Sequence, residues 1–241
     1  MVVLRAIHII LVYPLVILWT MISGFTGMII AGVFQKPDLT LRFVPGKMWA
    51  PVILFLLGIR VKVTGKENAN KKGPSIYVAN HSSQIDIPVC VMAIPVNLNF
   101  IVKQELKKSP VVGWYVSATR QIFIDRSDKD AAMRSMNVAA ERIANGRSVL
   151  AYAEGTRSKD GKVKIFRRGS FLIAERADIP ITPIAIKGAF ECLPPKSFFT
   201  RPGTVEITIG EPFRPSEVEY KTTEDLAEIA RQRVIALRGE D

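Results

Sequence analysis

The chain has 241 residues, and its 48% hydrophobic content is enough for one buried core with an appendage, so several domains are not required. A formal net charge of +11 points to an anionic partner, which on charge alone is nucleic acid, an acidic carrier protein or an anionic membrane surface. Cys90 and Cys192 form neither a CxxC pair nor a Cys/His metal spacing, which argues against a disulfide or a structural zinc site.

The first part of the chain is strongly apolar. Residues 6–34 carry no formal charge and exceed the roughly 20 residues that span a hydrocarbon layer. Apolar character returns at residues 48–59, which is unlike a cleavable signal peptide. We therefore predict a helical membrane-associating segment over residues 1–59, either one spanning helix or a shallow two-helix anchor. The alternative is a pair of buried helices in a soluble core.

Basic residues are concentrated directly after the long apolar run. They are Lys36, Arg42, Lys47, Arg60, Lys62, Lys66, Lys71 and Lys72, against only Asp38 and Glu67 over the same stretch. Cations beside an apolar segment are typical of a protein that rests on anionic lipid headgroups, at about 1 kcal/mol for each charge near the surface. The pattern favours membrane lipids as a partner, and the alternative is an ordinary solvated basic face.

From residue 60 onward, short apolar runs alternate with amphipathic stretches. The predicted strands are residues 61–64, 75–79, 99–102, 122–124, 149–153, 181–186 and 205–209. The clearest predicted helices are residues 130–144 and 223–237, and Thr222 can cap the second. This alternation predicts an α/β layered domain over residues 60–241.

His81 is the one histidine outside the apolar segment, because the other is His8. It follows the predicted strand 75–79, and α/β sheets build sites at the carboxyl ends of their strands. Asp86, followed two residues later by Pro88, suits the start of a helix that it caps. A five-residue spacing does not align on a helix, so the segment must turn.

That turn can bring the Asp86 carboxylate to one imidazole nitrogen while the other nitrogen faces a substrate. The pair then predicts a general base, typically worth about 10² to 10⁴ in rate. The alternative is a capped loop with a satisfied histidine. The chain has no G-x-S-x-G elbow and no Walker glycine loop, so a serine hydrolase and a nucleotide phosphotransferase both lack their usual signatures.

Other predicted strand ends also carry polar residues. Glu154, Gly155, Thr156 and Arg157 follow one strand, where glycine allows close approach of a ligand and arginine offers a fork for phosphate. Residues 166–169 open the next helix and can close over this loop. Lys103 and the pair Asp125 and Arg126 follow two further strands. These residues are either parts of one pocket or ordinary turns and surface charges.

Four ordered blocks resemble the glycerolipid acyltransferase family that includes the 1-acylglycerol-3-phosphate (lysophosphatidic acid) acyltransferases. Residues 80–86 are similar to its His-x4-Asp block, and residues 122–126, 154–158 and 179–183 are similar to its three later blocks. The resemblance runs from about residue 75 to residue 187. Arg120 and Ala153 depart from the family's usual glycine and proline, which affects the expected backbone path but removes no proposed chemical group.

The resemblance implies a layered mixed sheet with flanking helices behind an N-terminal helical membrane anchor. It implies His81 as general base and Asp86 as its partner. It also implies an acceptor and phosphate site shaped by Arg126, Lys103 and the loop of Glu154, Gly155, Thr156 and Arg157.

The reaction implied by the resemblance is transfer of a fatty acyl group from acyl-CoA or an acidic acyl carrier protein to the sn-2 hydroxyl of 1-acylglycerol 3-phosphate. The product is phosphatidic acid, an intermediate of phospholipid biosynthesis. No metal or tightly bound cofactor and no nucleic acid are implied, and the catalytic domain is expected on the cytoplasmic face of the cell membrane. The alternatives are the same chemistry on another lysophospholipid or glycerol 3-phosphate, or a non-catalytic membrane adaptor.

Overall fold

In the computed structural model, residues 2–69, 71–109, 112–124 and 129–239 are described. The chain begins with helices that are here called the N-terminal helices. They are α1 (Val2–Gly32), α2 (Pro37–Phe43), a π-helical stretch (Val44–Trp49) and α3 (Ala50–Leu56). They end just before the first strand, next to the predicted division of the chain at residue 60.

Within the described residues, seven strands form one sheet, and all seven were predicted within two residues at each end. They are β1 (Ile59–Thr64), β2 (Ile76–Ala79), β3 (Leu98–Lys103), β4 (Ile122–Ile124), β5 (Ser148–Tyr152), β6 (Ile181–Lys187) and β7 (Gly203–Ile209). Their order is β1-β7-β6-β2-β5-β3-β4. Only the β6 and β7 pair is antiparallel, so the sheet is mixed as expected.

The helices that follow β1 flank this sheet. They are α4 (Asp86–Ala93), α5 (Val112–Ala118), α6 (Lys129–Ala144), α7 (Gly169–Ala177), α8 (Ala189–Cys192) and α9 (Thr223–Arg238). The predicted helices 130–144 and 223–237 correspond to α6 and α9. Thr222 caps α9 as predicted, because its hydroxyl accepts a hydrogen bond from the Asp225 N–H at 3.2 Å.

The buried side chains form two layers, one on each face of the sheet. In β2, Tyr77 and Ala79 belong to the cluster that includes residues of α3 and α4, while Ile76 and Val78 belong to the cluster of α6, α7 and α9. This division follows from the two-residue repeat of a strand. The N-terminal helices therefore share a core with one face of the sheet, through Ala50, Ile53 and Leu54 among others.

Helix α1 lies against the α/β domain with one side and leaves the other side exposed. The Tyr13 hydroxyl is 3.2 Å from the Thr200 hydroxyl, and the Trp19 indole N–H donates to the Met48 carbonyl at 3.2 Å. The other side is apolar, with Ile10 67% exposed and Ile17 58% exposed. Such exposure is unlike the pair of buried soluble helices that the sequence left open.

Two helical stretches are long and apolar enough to cross a membrane by length and composition, namely Ile10–Gly32 and Asp38–Leu56. The second stretch is longer than its apolar sequence run, because α2, the π-helical stretch and α3 are continuous. Core helices of soluble proteins can pass the same test, but only 17% of the first stretch is buried. This is a weak indication of membrane association.

Part of the basic cluster is paired with acidic residues distant in sequence. Lys62 lies 3.4 Å from Glu206, Lys71 lies 2.7 Å from Glu211, and Lys72 pairs with Glu217. The charge count from the sequence covered only the acidic residues within the same stretch, so it could not show these pairs. The pairs lower the positive charge that this surface presents to an anionic partner.

Candidate active site

The turn between β2 and α4, here called the His81 turn (residues 80–86), is attached to the neighbouring strand β6. The Asn80 side chain donates to the Ile186 carbonyl at 2.9 Å and accepts from the Ile186 N–H at 2.8 Å. Asn80 is buried, so this pair of bonds satisfies an amide that water does not reach. The start of the turn is thereby fixed to the sheet.

Asp86 forms the centre of the turn. One carboxylate oxygen, Oδ2, accepts hydrogen bonds from the Ser82 and Ser83 N–H groups and from His81 Nδ1, each at 2.8 Å. Asp86 is fully buried. The predicted contact between Asp86 and one imidazole nitrogen is confirmed.

The predicted capping role of Asp86 is wrong. Helix α4 begins at Asp86, but no side chain caps it. The carboxylate instead points back toward the preceding backbone, because the tight turn directs two N–H groups and the imidazole at the same oxygen. The residue therefore organises the turn rather than the helix.

This geometry defines the tautomer of His81. An ionised Asp86 only accepts hydrogen bonds, so Nδ1 carries the hydrogen and Nε2 carries the free lone pair. Nε2 has no hydrogen-bond partner in the described part of the chain, and the imidazole side chain is 16% exposed. Nε2 can therefore accept a proton from an incoming hydroxyl.

Tyr152 is a neighbour of His81 that the sequence did not identify as such. The two rings stack with centroids 4.0 Å apart and planes 18° apart. The register of β2 and β5 sets Tyr152 beside Ala79, two residues before His81. Burial raises the pKa of the Tyr152 phenol well above its ordinary value, so the ring is a neutral support for the imidazole.

Glu154 was predicted to bind substrate, but its carboxylate contacts the backbone of His81. Oε1 accepts the His81 N–H at 3.0 Å, and the Ser158 N–H donates to the His81 carbonyl at 2.7 Å. The 154–158 segment therefore holds both peptide groups of His81. Burial raises the pKa of Glu154 to about 7, opposed by its bond from the His81 N–H and by Lys164, whose ammonium lies 3.8 Å from Oε2.

Gly155 occupies a position whose backbone conformation favours glycine, and it faces the Arg167 side chain. Its φ is +75°, and a Cβ placed there would lie 2.9 Å from Nε of Arg167. The Arg167 N–H also donates to the Ala153 carbonyl at 2.8 Å. The expectation that residues 166–169 close over this loop is therefore confirmed, with Arg167 as the residue in contact.

Thr156 and Arg157 complete the loop. Lys164 donates to the Thr156 hydroxyl at 2.8 Å and to the Arg157 carbonyl at 3.3 Å. Thr156 is exposed and Arg157 is partly exposed. Within the described residues, the Arg157 guanidinium forms no hydrogen bond or ion pair, so it is available to an anionic ligand.

Two of the predicted site residues have no described side chain. Lys103 ends β3, and its backbone is in register with Ile124 at the end of β4. Its side chain lies outside the described part of the structure, and Arg126 lies outside the described residues altogether. Their expected part in the phosphate site stays a prediction. The described residues that the fold brings together are His81, Asp86 and the 154–157 loop.

A largely apolar cavity of about 390 Å³ lies between the N-terminal helices and the α/β domain. Its walls include Thr20 and Trp49 from the N-terminal helices, Ile87 and Val91 from α4, and Phe100 from β3. Ile87 directly follows Asp86, so the same helix begins at the His81 turn and lines the cavity. In the part of the chain that is described, no group of three His, Cys, Asp or Glu side chains is arranged to hold a metal ion.

Known proteins share both the sequence and the fold. Residues 60–187 match the acyltransferase family. The chain is 29% identical over 218 residues to 1-acyl-sn-glycerol-3-phosphate acyltransferase of Saccharomyces cerevisiae, an alignment that covers 88% of this chain and 71% of the yeast protein. It is 32% identical over 177 residues to the protein of that name in Chlamydomonas reinhardtii, covering 73% of this chain and 52% of the algal one.

Among solved structures, the crystal structure of the 1-acyl-sn-glycerophosphate acyltransferase PlsC from Thermotoga maritima is similar, with a TM-score of 0.81 and 26% identity. The superposition covers 98% of this chain and 94% of that one, so the N-terminal helices are included. The family match spans just over half of this chain and contains the His81 turn and the 154–157 loop. The chain therefore belongs to the acyltransferase family.

Proposed function

We propose that this protein transfers a fatty acyl group from an acyl thioester to the sn-2 hydroxyl of 1-acylglycerol 3-phosphate, giving phosphatidic acid for phospholipid biosynthesis. The observation that carries the proposal is the 2.8 Å bond between His81 Nδ1 and Asp86, which leaves Nε2 free, in a member of the acyltransferase family. The acceptor is taken from the names of the yeast and algal relatives and of the Thermotoga protein.

In the proposed reaction His81 is the general base. Nε2 takes the proton of the acceptor hydroxyl while its oxygen attacks the thioester carbonyl carbon. The tetrahedral intermediate collapses by breaking the carbon–sulfur bond, and the imidazolium returns the proton to the leaving thiolate. Buried Asp86 stabilises the imidazolium and holds the tautomer.

No protein nucleophile is needed, because a thioester is already activated toward a hydroxyl. Cys90 is the thiol nearest to the His81 turn in sequence, but burial raises the pKa of its thiol above the ordinary value. A thiol of this kind stays protonated and is a poor nucleophile. Direct transfer between the two substrates is therefore the favoured route.

The phosphate of the acceptor is assigned to Arg157, assisted by Arg126 and Lys103. Arg157 has a guanidinium without a described partner and lies on the loop that holds His81. Arg167 packs over Gly155 of the same loop and adds a second guanidinium. Planar guanidinium groups suit phosphate oxygens, and charged hydrogen bonds of this kind contribute about 1.5 to 3 kcal/mol.

The apolar cavity is assigned to a fatty acyl chain. Its lining is mainly hydrocarbon and aromatic, with Ile87, Val91 and Phe100 among the residues. Burial of each methylene in such a cavity stabilises the complex by about 0.8 kcal/mol. The first residue of α4, Asp86, is in the His81 turn, and the second, Ile87, lines the cavity. This proximity supports an acyl chain that lies in the cavity with its carboxyl end near the imidazole.

The N-terminal helices are proposed to hold the domain on the cytoplasmic face of the membrane. One side of α1 is exposed and apolar, while the other contacts the α/β domain through Tyr13 and the π-helical stretch through Trp19. This arrangement supports an anchor that lies within one leaflet, because a spanning helix would draw the attached polar domain into hydrocarbon. The acyl donor, acyl-CoA or an acidic acyl carrier protein, then arrives from the cytosol.

Purified protein in detergent tests the proposal when it is given each donor with 1-acylglycerol 3-phosphate, glycerol 3-phosphate and another lysophospholipid. We expect phosphatidic acid as the main product, identified by its mass and by the position of the new acyl group. If another acceptor is preferred, the proposed acyl-transfer chemistry stands and the proposed substrate is wrong. If no donor and acceptor pair reacts, and His81→Ala leaves membrane binding intact, a membrane adaptor is the better account.

A further inference from the structure

Two phenylalanines are unusually exposed. Phe55 in α3 is 81% exposed, and Phe198, between α8 and β7, is 79% exposed. Phe198 belongs to the α/β domain and to a segment here called the 193–202 loop. A solvated phenyl ring forgoes about 1.5 to 3 kcal/mol of burial free energy, so an aromatic tip of this kind calls for a partner.

The 193–202 loop has a defined shape rather than a loose one. The Arg201 N–H donates to the Cys192 carbonyl at 2.8 Å, which closes the base of the loop. At its tip, the Ser197 hydroxyl donates to the Phe199 carbonyl at 3.1 Å and accepts from the Phe199 N–H at 3.1 Å. These bonds fix the backbone on both sides of Phe198. The phenyl ring is therefore held at the tip of the turn, where it is exposed.

Contacts on both sides place the loop next to the N-terminal helices. The Thr200 hydroxyl lies 3.2 Å from the Tyr13 hydroxyl of α1. A Cβ on Gly58, two residues after α3, would lie 3.0 Å from Cβ of Pro202, and the Gly203 N–H donates to the Gly58 carbonyl at 3.2 Å. The exposed ring of the α/β domain is therefore adjacent to the helices whose exposed face is apolar.

Three exposed cationic side chains lie in or near the 193–202 loop. Lys196 and Arg201 flank Phe198 in the loop, and Arg60 is the second residue of β1, two residues after Gly58; all three are exposed. None of the three side chains has a hydrogen bond or ion pair with another described residue, in contrast to Lys62, Lys71 and Lys72. An apolar tip ringed by free cations is complementary to the headgroup region of an anionic bilayer.

We propose that the 193–202 loop is a second membrane contact, in which Phe198 inserts below the headgroups while Lys196 and Arg201 bind lipid phosphates. The inference rests on the proposed membrane association of the N-terminal helices but not on the identity of the acyl acceptor. It adds a contact supplied by the α/β domain itself. Two contacts define the tilt of the domain on the membrane surface. With α1 as the one contact, the domain would be free to rotate about that helix.

The contact also bears on the His81 turn. The Ser83 hydroxyl donates to the Leu193 carbonyl at 2.7 Å, so the turn is bonded to the first residue of the loop. A loop seated in the headgroup region therefore places the turn at a constant depth relative to the lipid hydroxyl. The loop is a membrane-contact element and takes no part in the chemistry.

The test uses the full chain with single added cysteines that carry an environment-sensitive fluorophore. Phe198→Cys reports the proposed contact, Leu15→Cys in α1 reports the anchor, and Lys221→Cys before α9 lies on the opposite face of the sheet. Cys90 and Cys192 are buried, so the parent chain is the control for background labelling. Each protein is incorporated into vesicles of phosphatidylcholine and phosphatidylglycerol, with and without lipids that carry a quencher in the acyl chain.

We expect quenching at positions 15 and 198 and none at 221. Adding Lys196→Gln and Arg201→Gln should lower the quenching at 198 severalfold in anionic vesicles and much less in neutral ones. Quenching at 15 without quenching at 198 overturns the inference while leaving the anchor intact. No quenching at either position would contradict both membrane association and the proposed second contact. Equal quenching at 221 would mean that the domain has no defined orientation, which would also overturn the proposed second contact.

Discussion

The His81 turn and helix α1 differ in their surroundings. The turn buries polar groups that are hydrogen-bonded within the chain, and one side of α1 exposes apolar side chains. In the turn, Asp86, Ser82 and Ser83 are at most 2% exposed, and their bonds are supplied by the α/β domain. In α1, large apolar side chains such as Leu11 at 60% and Leu18 at 54% face outward with nothing packed on them. The bonds to Asp86 Oδ2 come from within the chain, although Asp86 Oδ1 has no hydrogen-bond partner among the described residues, whereas the exposed side of α1 requires a further surface.

This difference separates two tasks. The geometry of His81, the proposed base, depends on hydrogen bonds inside one domain, so it should be the same in detergent and in lipid. The position of that base relative to a lipid substrate depends on α1 and its neighbours. Changes in the turn should therefore affect turnover and leave membrane binding unchanged, and changes around α1 should do the reverse.

The largest expected effect is that of His81→Ala. We expect the acyl transfer rate to fall by about 10² to 10⁴, because His81 is the one histidine in the sequence of the α/β domain that could accept the hydroxyl proton. Binding to vesicles and the circular dichroism spectrum should stay unchanged, which would confirm that the two tasks are separate. Near-normal turnover in this variant would rule out His81 as the base.

Removal of the Glu154 charge should change how stability depends on pH. Burial raises the pKa of Glu154 from 4.5 to about 7, so the folded protein binds this proton more tightly than the unfolded chain does. The free energy of unfolding therefore falls as pH rises from about 4.5 through about 7, by as much as about 3 kcal/mol from this group.

Glu154→Gln keeps an oxygen that can accept the His81 N–H and removes the titration. The difference in unfolding free energy between the two proteins, followed in denaturant from pH 5 to pH 8, should then grow in favour of the glutamine variant as pH rises. A difference that is independent of pH would mean that Glu154 is not buried in this way.

Arg157→Ala should lower kcat/KM for 1-acylglycerol 3-phosphate by about tenfold to a hundredfold, because one charged hydrogen bond to phosphate is lost. Activity on an uncharged monoacylglycerol should change much less. Arg168→Ala is the matched control, since Arg168 directly follows Arg167, which contacts Gly155, but pairs with Glu224 at 3.1 Å on the surface. An equal loss on both acceptors would instead assign Arg157 to the loop or to the donor.

The smallest effect concerns the attachment of α1. The Trp49 indole N–H donates to the Thr20 hydroxyl at 3.0 Å, and this bond joins the end of the π-helical stretch to the middle of α1 at the wall of the cavity. Trp49→Phe and Thr20→Ala should show a coupling of about 0.5 to 1.5 kcal/mol in a double-mutant cycle of unfolding free energies. Strictly additive effects would mean that α1 is held by its apolar contacts alone.

The element order and the local chemistry of the turn could be read from the sequence. Strands 122–124 and 205–209 and helix 223–237 follow from short-range periodicity and capping, which act over a few residues. The five-residue spacing of His81 and Asp86 likewise requires a turn, and a turn can return the carboxylate to the ring. The long apolar run predicted a membrane-associating segment from its length and lack of charge, and one side of α1 is accordingly apolar and exposed.

The tertiary structure decided which distant groups meet these local features. Strand β2 lies between β5 and β6 rather than beside the next strand in the chain, so Tyr152, Glu154 and Ile186 become the neighbours of the turn. The pairing of Lys71 with Glu211 and the cavity between α1 and α4 are consequences of the same packing. Periodicity carries no information on strand order or on contacts across a hundred residues, because these are set by how the layers bury their apolar faces together. The sequence by itself therefore identified His81 and Asp86 as a pair, and the fold alone determined what holds them in place.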